Sequence, residues 1–256
     1  MIDQTAANAT APLVLIRSHG GLGNQLFQIG HGLLLGRRMG IPTLRVHDIR
    51  YPVVFPATPL FAELDRRAPT VLAGLSWLRL PKIATKLGLE TDQLRFGQTL
   101  LLDAYFQTAQ CWMQHAPSDV RWLLSNIRGR LGVSDTPKNG LLVHLRLGDF
   151  FSDEGGQRRH LAERLADVAP GSSIMTNRDD LLSDAAGMMG ARGLTHIPSA
   201  NLQPEGVLKA MTGFSRIDSN DSTLALWASL LGRSSLQLRD VRLKELHATI
   251  RAMDEA

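Results

Sequence analysis

The stretch LVLIRSHGGLGNQLFQIGHGLLLGRRMG, residues 13–40, constrains the fold more than any other part of the chain. Its opening, together with Pro12, is an apolar run over residues 12–16 that reads as a buried strand. Glycines at 20, 21 and 23 then interrupt any regular element. Beyond them Leu26, Ile29 and Leu33 recur at helical spacing, as do Phe27 and Leu34, so a helix is expected from about Gln25 to Arg38. The Arg37-Arg38 pair followed by Gly40 suits the end of that helix, because cations and a left-handed glycine both favour a C-terminus. TLRVHD, residues 43–48, follows as a second strand. Strand, glycine turn, helix and strand together make a βαβ unit, the repeating element of α/β folds.

The remaining chain continues in the same manner. A mostly helical pattern broken by prolines runs from Pro59 to Leu87, and LLLDAYFQ, residues 101–107 with Leu100, reads as a further strand. SDVRWLLSNIRGRLG is a helix capped by Ser118 or Asp119 and stopped by Gly132. The polar VSDTPKNG stretch after it reads as a linker and sets the expected domains at 1–132 and 133–256. In the second half GLLVHLRL, SSIMT, GLTHI and FSRID read as strands. Helices are expected near 160–168, 179–189 and 222–231, with an amphipathic one over about 239–253.

Composition bounds the partners. The formal charge is +4 over 256 residues, and arginine dominates the basic residues, which favours an anionic ligand or surface. No basic-aromatic stripe accompanies it, so nucleic acid is not expected. Cys111 is the single cysteine, which excludes an intramolecular disulfide and fits a reducing, cytoplasmic setting. The first residues lack a basic leader, and no apolar run approaches the ~18 residues of a spanning helix. Membrane contact is therefore expected only as peripheral association. With one cysteine, scattered histidines and no D-x-D pair, no metal or other cofactor is expected.

Three places concentrate groups that could do chemistry. The glycine turn is not a phosphate-binding P-loop, because no Lys-Ser/Thr follows it. A dinucleotide fingerprint would use Asp48 at the end of the second strand, yet Leu26 stands where a third glycine should permit close packing. A simple chain reversal is the remaining plain reading. The amides of Asn24 and Gln25 offer donors and acceptors to a sugar or phosphate beside Gly21 and Gly23. In VHLRLGDF, strand alternation places Leu141, Val143, Leu145 and Leu147 on one face and Leu142, His144 and Arg146 on the other. Asp149 falls in the loop just beyond, where open α/β sheets receive ligands. Arg146 there can fork onto phosphate oxygens. In SRIDSNDSTLALWASLLG a helix begins at Ser222 and Thr223, where first-turn N–H groups and hydroxyls can cradle a phosphate or merely cap the helix.

These stretches also carry a resemblance. GGLGNQLFQ resembles the N-terminal signature of the α-1,2-fucosyltransferases, and the related turn of protein O-fucosyltransferases implies that Asn24 lies near the donor's fucose and diphosphate. VHLRLGDF is similar to the H-x-R-R-x-D motif shared by α-1,2-, α-1,6- and protein O-fucosyltransferases, with Leu147 where the second arginine would be. That resemblance implies a diphosphate contact for Arg146 and a guanosine contact for His144. The stretch from Asp221 resembles N-S-[ST]-F-S-x-W-[GA]-A-x-L, with Asp221 for the asparagine and Leu226 for a tryptophan. DAYFQTAQCW resembles G-Y-F-Q-S-E-K-Y-F, and SIMTNRDDLL resembles a strand ending F-S-D-D, which would turn Asp179 toward the guanine or ribose.

The resemblance implies a GT-B-like α/β architecture of two Rossmann-like domains facing a cleft. It implies inverting, metal-independent transfer of L-fucose from GDP-fucose to a galactose-terminated glycan, in α-1,2 linkage, in surface-glycan synthesis. Gly21, Gly23, Asn24, Gln25, His144, Arg146, Asp179, Ser222 and Thr223 would hold the donor. Arg146, Asp149 and Asn24 would act in catalysis, and Asp149, His19, Asp48 and Asp221 are all open as the base. The rival readings are a non-catalytic nucleotide-binding module and a dinucleotide-dependent oxidoreductase.

Overall fold

The computed structural model describes residues 12–47, 57–65, 93–96, 99–134, 138–147, 151 and 153–256. Asp48, Asp149 and most of the 59–87 pattern lie outside them. The contacts divide the chain into two compact units, Met1–Gln107 and Thr108–Ala256.

In the N-terminal unit β1 (Leu13–Ser18) is followed by α1 (Leu22–Met39) and β2 (Thr43–His47), with β3 (Gln93–Phe96) and β4 (Thr99–Leu102) later in the chain. The sheet order is β2-β1-β4-β3. β1 runs parallel to both β2 and β4, and β3 is the one antiparallel strand of this sheet. Helix α1 begins three residues ahead of expectation, since the N–H groups of Asn24 and Gln25 already bond to Gly21 O at 2.9 and 3.1 Å. It ends as the sequence predicts, on Gly40 at φ 65° with the basic Arg37 and Arg38 in its last turn.

The close approach of α1 to the sheet is made by glycines well inside the helix. A Cβ on Gly32 would stand 2.4 Å from the Ile16 side chain, and one on Gly36 2.1 Å from Thr43 Oγ1. Leu26, at the position of a dinucleotide fold's third glycine, is wholly buried. This turn thus packs its helix without that glycine.

The C-terminal unit holds five parallel strands, β5 (Lys138–Leu145), β6 (Ser173–Thr176), β7 (Thr195–His196), β8 (Phe214–Ser219) and β9 (Ser235–Gln237), in the order β7-β6-β5-β8-β9. Its helices are α2 (Ala109–Met113), α3 (Pro117–Leu131), α4 (Glu154–Asp167), α5 (Asp179–Asp184), α6 (Ala186–Ala191), α7 (Pro204–Met211), α8 (Thr223–Gly232) and α9 (Val241–Glu255). Val143, Leu145 and Leu147 pack with Leu161 and Leu165 of α4 and with Leu181 and Met189 of α5 and α6. On the other side of the sheet α8 lies against β8 and β9. Both units are α/β folds with Rossmann-like winding: the chain lays strands to one side of the first strand, then crosses to the other.

The structure departs from the expected elements in definite ways. The contact boundary falls at Gln107/Thr108, ahead of the expected 132/133. Helix α3 belongs to the second unit because Arg128 reaches across it to Leu231 O at 3.0 Å, Leu230 O at 2.7 Å and Asp254 at 2.9 Å. Trp112 of α2 meets Trp227 of α8 edge-on at 6.0 Å. Pro117 occupies the first turn of α3 after an Ala116 N-cap, so Ser118 and Asp119 lie inside the helix. The helix expected at 179–189 is two short ones that meet at Ala185, and α7 was not expected.

Two glycines separate packing from propensity. A Cβ at Gly232 would meet the main chain of Thr212 at 2.5 Å, whereas one at Gly129 in α3 meets nothing within 4 Å. In thermal unfolding Gly129→Ala should stabilise by up to about 1 kcal/mol through helix propensity. Gly232→Ala should destabilise by about 1–3 kcal/mol, because main chain must shift.

Candidate functional site

In each unit the crossing of the chain leaves a gap at the carboxyl ends of two parallel neighbours, the position where open α/β sheets receive ligands. In the N-terminal unit these neighbours are β1 and β4. The glycine turn lies at the end of β1, and the Asp103–Gln107 segment lies at the end of β4. A buried ion pair, Arg17 to Asp103 at 2.7 Å, ties the two ends together.

Side-chain amides shape the turn itself. Gln25 is 1% exposed, and its amide donates to Gly20 O at 2.8 Å while accepting from Thr58 N at 2.9 Å. The Gln25 amide is thus engaged with main chain at both ends and latches the turn. Asn24 accepts at Oδ1 from Gln107 Nε2 at 2.8 Å. Gly20 sits at φ +77°, a conformation that favours glycine, and a Cβ there would come within 2.9 Å of Asn24 Nδ2. Gly21 supplies the N-cap of α1, and Gly23 is buried in its first turn.

Gln28 sets the state of His19. Its Oε1 accepts from His19 N at 2.9 Å, which fixes the amide's orientation, and its Nε2 therefore donates to His19 Nδ1 at 3.1 Å. A neutral His19 then carries its proton on Nε2. In that tautomer the Nε2 nitrogen is a hydrogen-bond donor. The imidazole tilts against the Tyr105 ring, with centroids 4.7 Å apart. Phe106, at φ 51°, stacks on the buried His31 at 4.3 Å.

In the C-terminal unit the corresponding neighbours are β5 and β8. His144 and Arg146 share the face that strand alternation assigns them. His144 is 5% exposed, with Nδ1 3.5 Å from Ser219 Oγ. Burial first, and then the Arg146 charge, lower its pKa to about 4, so its ring is neutral at physiological pH. Arg146 is half-buried. Leu147 is fully buried among the apolar residues of the opposite face. Replacing an arginine there with leucine changes the core and leaves Arg146 on its own face.

Past the strand end, two asparagines hold the main chain. Asn220 accepts from Arg146 N at 2.9 Å and donates to Arg146 O at 2.8 Å, and Asn177 accepts from Leu147 N at 2.8 Å. Sequence reasoning missed both, as it missed Gln28 and Gln107. For Asn177 and Asn220 the available signal was an amide residue just beyond a predicted strand; Gln28, inside the expected helix, and Gln107, ending an expected strand, carried none.

Helix α8 starts beside Arg146, directly after β8. Ser222 is its N-cap and accepts from Ala225 N at 3.4 Å, so its hydroxyl caps the helix. Thr223 opens the first turn. Asp221, at φ 64°, accepts through Oδ1 from both Arg239 N and Asp240 N at 2.7 and 2.8 Å, which anchors the loop before α9.

Asp179, at the end of the neighbouring β6, is also engaged. It meets His196 Nε2 at 2.9 Å through one oxygen and accepts from Ser199 N and Ala200 N at 2.7 and 2.6 Å through the other. Burial alone would raise its pKa, but these hydrogen bonds outweigh that and hold the carboxyl below its ordinary range.

The structure thus gathers His144, Arg146, Ser222 and Thr223 at one strand-end gap, with Asp179 one strand away. Gly21, Gly23, Asn24 and Gln25 gather with His19 at the gap of the other unit.

No protein-family model matches the chain, and no curated protein matches it. Among solved structures it is similar to the fucosyltransferase NodZ from Bradyrhizobium, at 13% identity over 86% of this chain and 92% of that one, with a TM-score of 0.46. It is similar to POFUT1 in its apo form at 9% identity over 90% and 97% of the two chains, TM-score 0.46. The E. coli heptosyltransferase WaaC matches at 14% identity over 95% and 99%, TM-score 0.42. At such identities and scores no residue's role passes from those proteins to this one.

The histidines make stability pH-dependent. His144 and His247 both have pKa values lowered to about 4 in the fold, from 6.5. Between these values the unfolded chain binds more protons, so their contribution is complete above about pH 6.5 and is lost as pH falls through about 4. Urea unfolding from about pH 7 to pH 5 should show falling stability, and His144→Gln should flatten that slope.

Proposed function

We propose that this protein transfers L-fucose from GDP-β-L-fucose to a galactoside hydroxyl, forming an α-1,2 linkage with inversion. The observation that carries the reading is the placement of Arg146 and the start of α8 at the ends of adjacent strands, β5 and β8, joined through Asn220. A guanidinium and a helix N-terminus on either side of a strand-end gap suit a diphosphate, since both stabilise anionic oxygen. The fucosyl transfer itself is supported by the resemblance of GGLGNQLFQ, VHLRLGDF and the α8 start to the fucosyltransferase motifs. The linkage and the galactoside rest on the first of these.

In this reaction an acceptor hydroxyl oxygen forms a bond to the anomeric carbon as the bond to the phosphate oxygen breaks. GDP leaves with the electron pair, and the acceptor's proton passes to a base. Arg146 and the first-turn N–H groups of α8 meet the charge that grows on the departing diphosphate, the role a metal plays in other transferases. His144, neutral, offers hydrogen bonding without a second charge. Asp221 Oδ1 already takes two main-chain N–H groups, and we assign the base to Asp48 or Asp149. No helix of the described residues is long and apolar enough to cross a membrane. We place the enzyme in the cytoplasm, meeting glycan precursors at the membrane surface through peripheral contact.

The buried position of Leu147 removes the strongest sequence argument for a non-catalytic nucleotide-binding module. Leu26, buried where the dinucleotide fingerprint has its third glycine, weighs against the dinucleotide reading. GDP should raise the melting temperature and NAD(P)H should not; the reverse result would overturn the proposal. In a radiolabelled GDP-fucose assay over β-galactosides, Arg146→Ala should lower turnover at least about a hundredfold in a folded protein. EDTA should leave wild-type turnover unchanged.

A further inference from the structure

Parallel strands β5 and β8 stay paired up to His144 opposite Ser219. The ladder register between the two strands ends at that pair. Asn220 fills this position with a primary amide, which carries the donor and acceptor of a peptide group. Its Oδ1 takes the Arg146 N–H at 2.9 Å and its Nδ2 gives a hydrogen to the Arg146 carbonyl at 2.8 Å. The side chain therefore continues the β5–β8 pairing by one residue. On the β6 side Asn177 takes the Leu147 N–H at 2.8 Å, so the Arg146–Leu147 main chain is held from both sides.

We propose that Asn220 is the positioning residue for Arg146: its amide fixes the main chain at 146 so that the guanidinium meets the diphosphate of a nucleotide already oriented. The inference rests on the reading of Arg146 as the diphosphate's partner. An arginine on a loosely held strand end would lose more freedom on binding, and a fixed main chain leaves only side-chain torsions to be ordered.

The test is calorimetric titration of GDP into the full chain and its Asn220→Ala, Asn220→Asp, Arg146→Ala and doubly substituted Asn220→Ala/Arg146→Ala forms. Asn220→Ala should weaken GDP about tenfold. In the Arg146→Ala background the same change should cost nothing further, because Asn220 acts through Arg146. Asn220→Asp nearly preserves the shape and adds a readout that simple structural support would not produce. As a carboxylate it accepts from the Arg146 N–H but sets a second oxygen against the Arg146 carbonyl. Protonated, it donates to that carbonyl and restores both bonds. Its GDP affinity relative to wild type should therefore recover as pH falls, within one folded variant, even if Asn220→Ala does not fold.

Wild-type protein that does not bind GDP would overturn the reading of Arg146 and this inference with it. Wild-type protein that binds GDP while Asn220→Ala binds equally well would overturn the inference alone. So would an equal loss in both backgrounds, or an Asn220→Asp ratio that does not change with pH.

Discussion

A peptide group taken out of a β-ladder must find another partner or remain in water, and at the ends of parallel strands that separate this need falls on the residues that face a ligand. Side-chain amides meet it throughout this protein. Asn220 and Asn177 hold the main chain after β5. Gln25 and Gln28 hold the turn after β1 through Gly20 O, Thr58 N and His19 N. Asn220, Gln25 and Gln28 each both accept and donate, so they reproduce a peptide group's pairing while leaving the strand end open. The groups at the gap are thereby ordered before any ligand arrives.

Electrostatics at the β5–β8 gap follow from the same placement. Burial of His144 beside Arg146 disfavours a second positive charge, so the ring stays neutral and the guanidinium carries the cationic character of that face. Asp179 and Asp221 also lie near strand ends, yet both oxygens of Asp179 and Oδ1 of Asp221 are engaged by neighbouring segments. In each the carboxylate serves as a loop anchor. Asp179 and Asp221 are thus turned toward the protein's own N–H groups.

Parity along one strand explains why the neighbours Arg146 and Leu147 sit in different environments. Side chains alternate between faces, so residue 147 belongs to the apolar face with Val143 and Leu145, where leucine packs without an unpaired charge. Residue 146 belongs with His144.

Alternation, helical period and left-handed glycines, all local properties of the chain, determined the first βαβ unit, the faces of 141–147, the ends of α1 at Gly40 and of α3 at Gly132, and the positions of the glycine turn and the α8 start. The tertiary structure alone decided which distant groups the polar side chains serve. No local pattern states that Gln25 reaches Thr58, that Asn220 reaches Arg146, or that Arg128 meets carbonyls of α8 and so carries α3 into the second unit. Backbone sterics and periodic burial act over a few residues and can be read along the sequence. The partner of a buried amide or guanidinium is set by strands brought together from far apart in the chain.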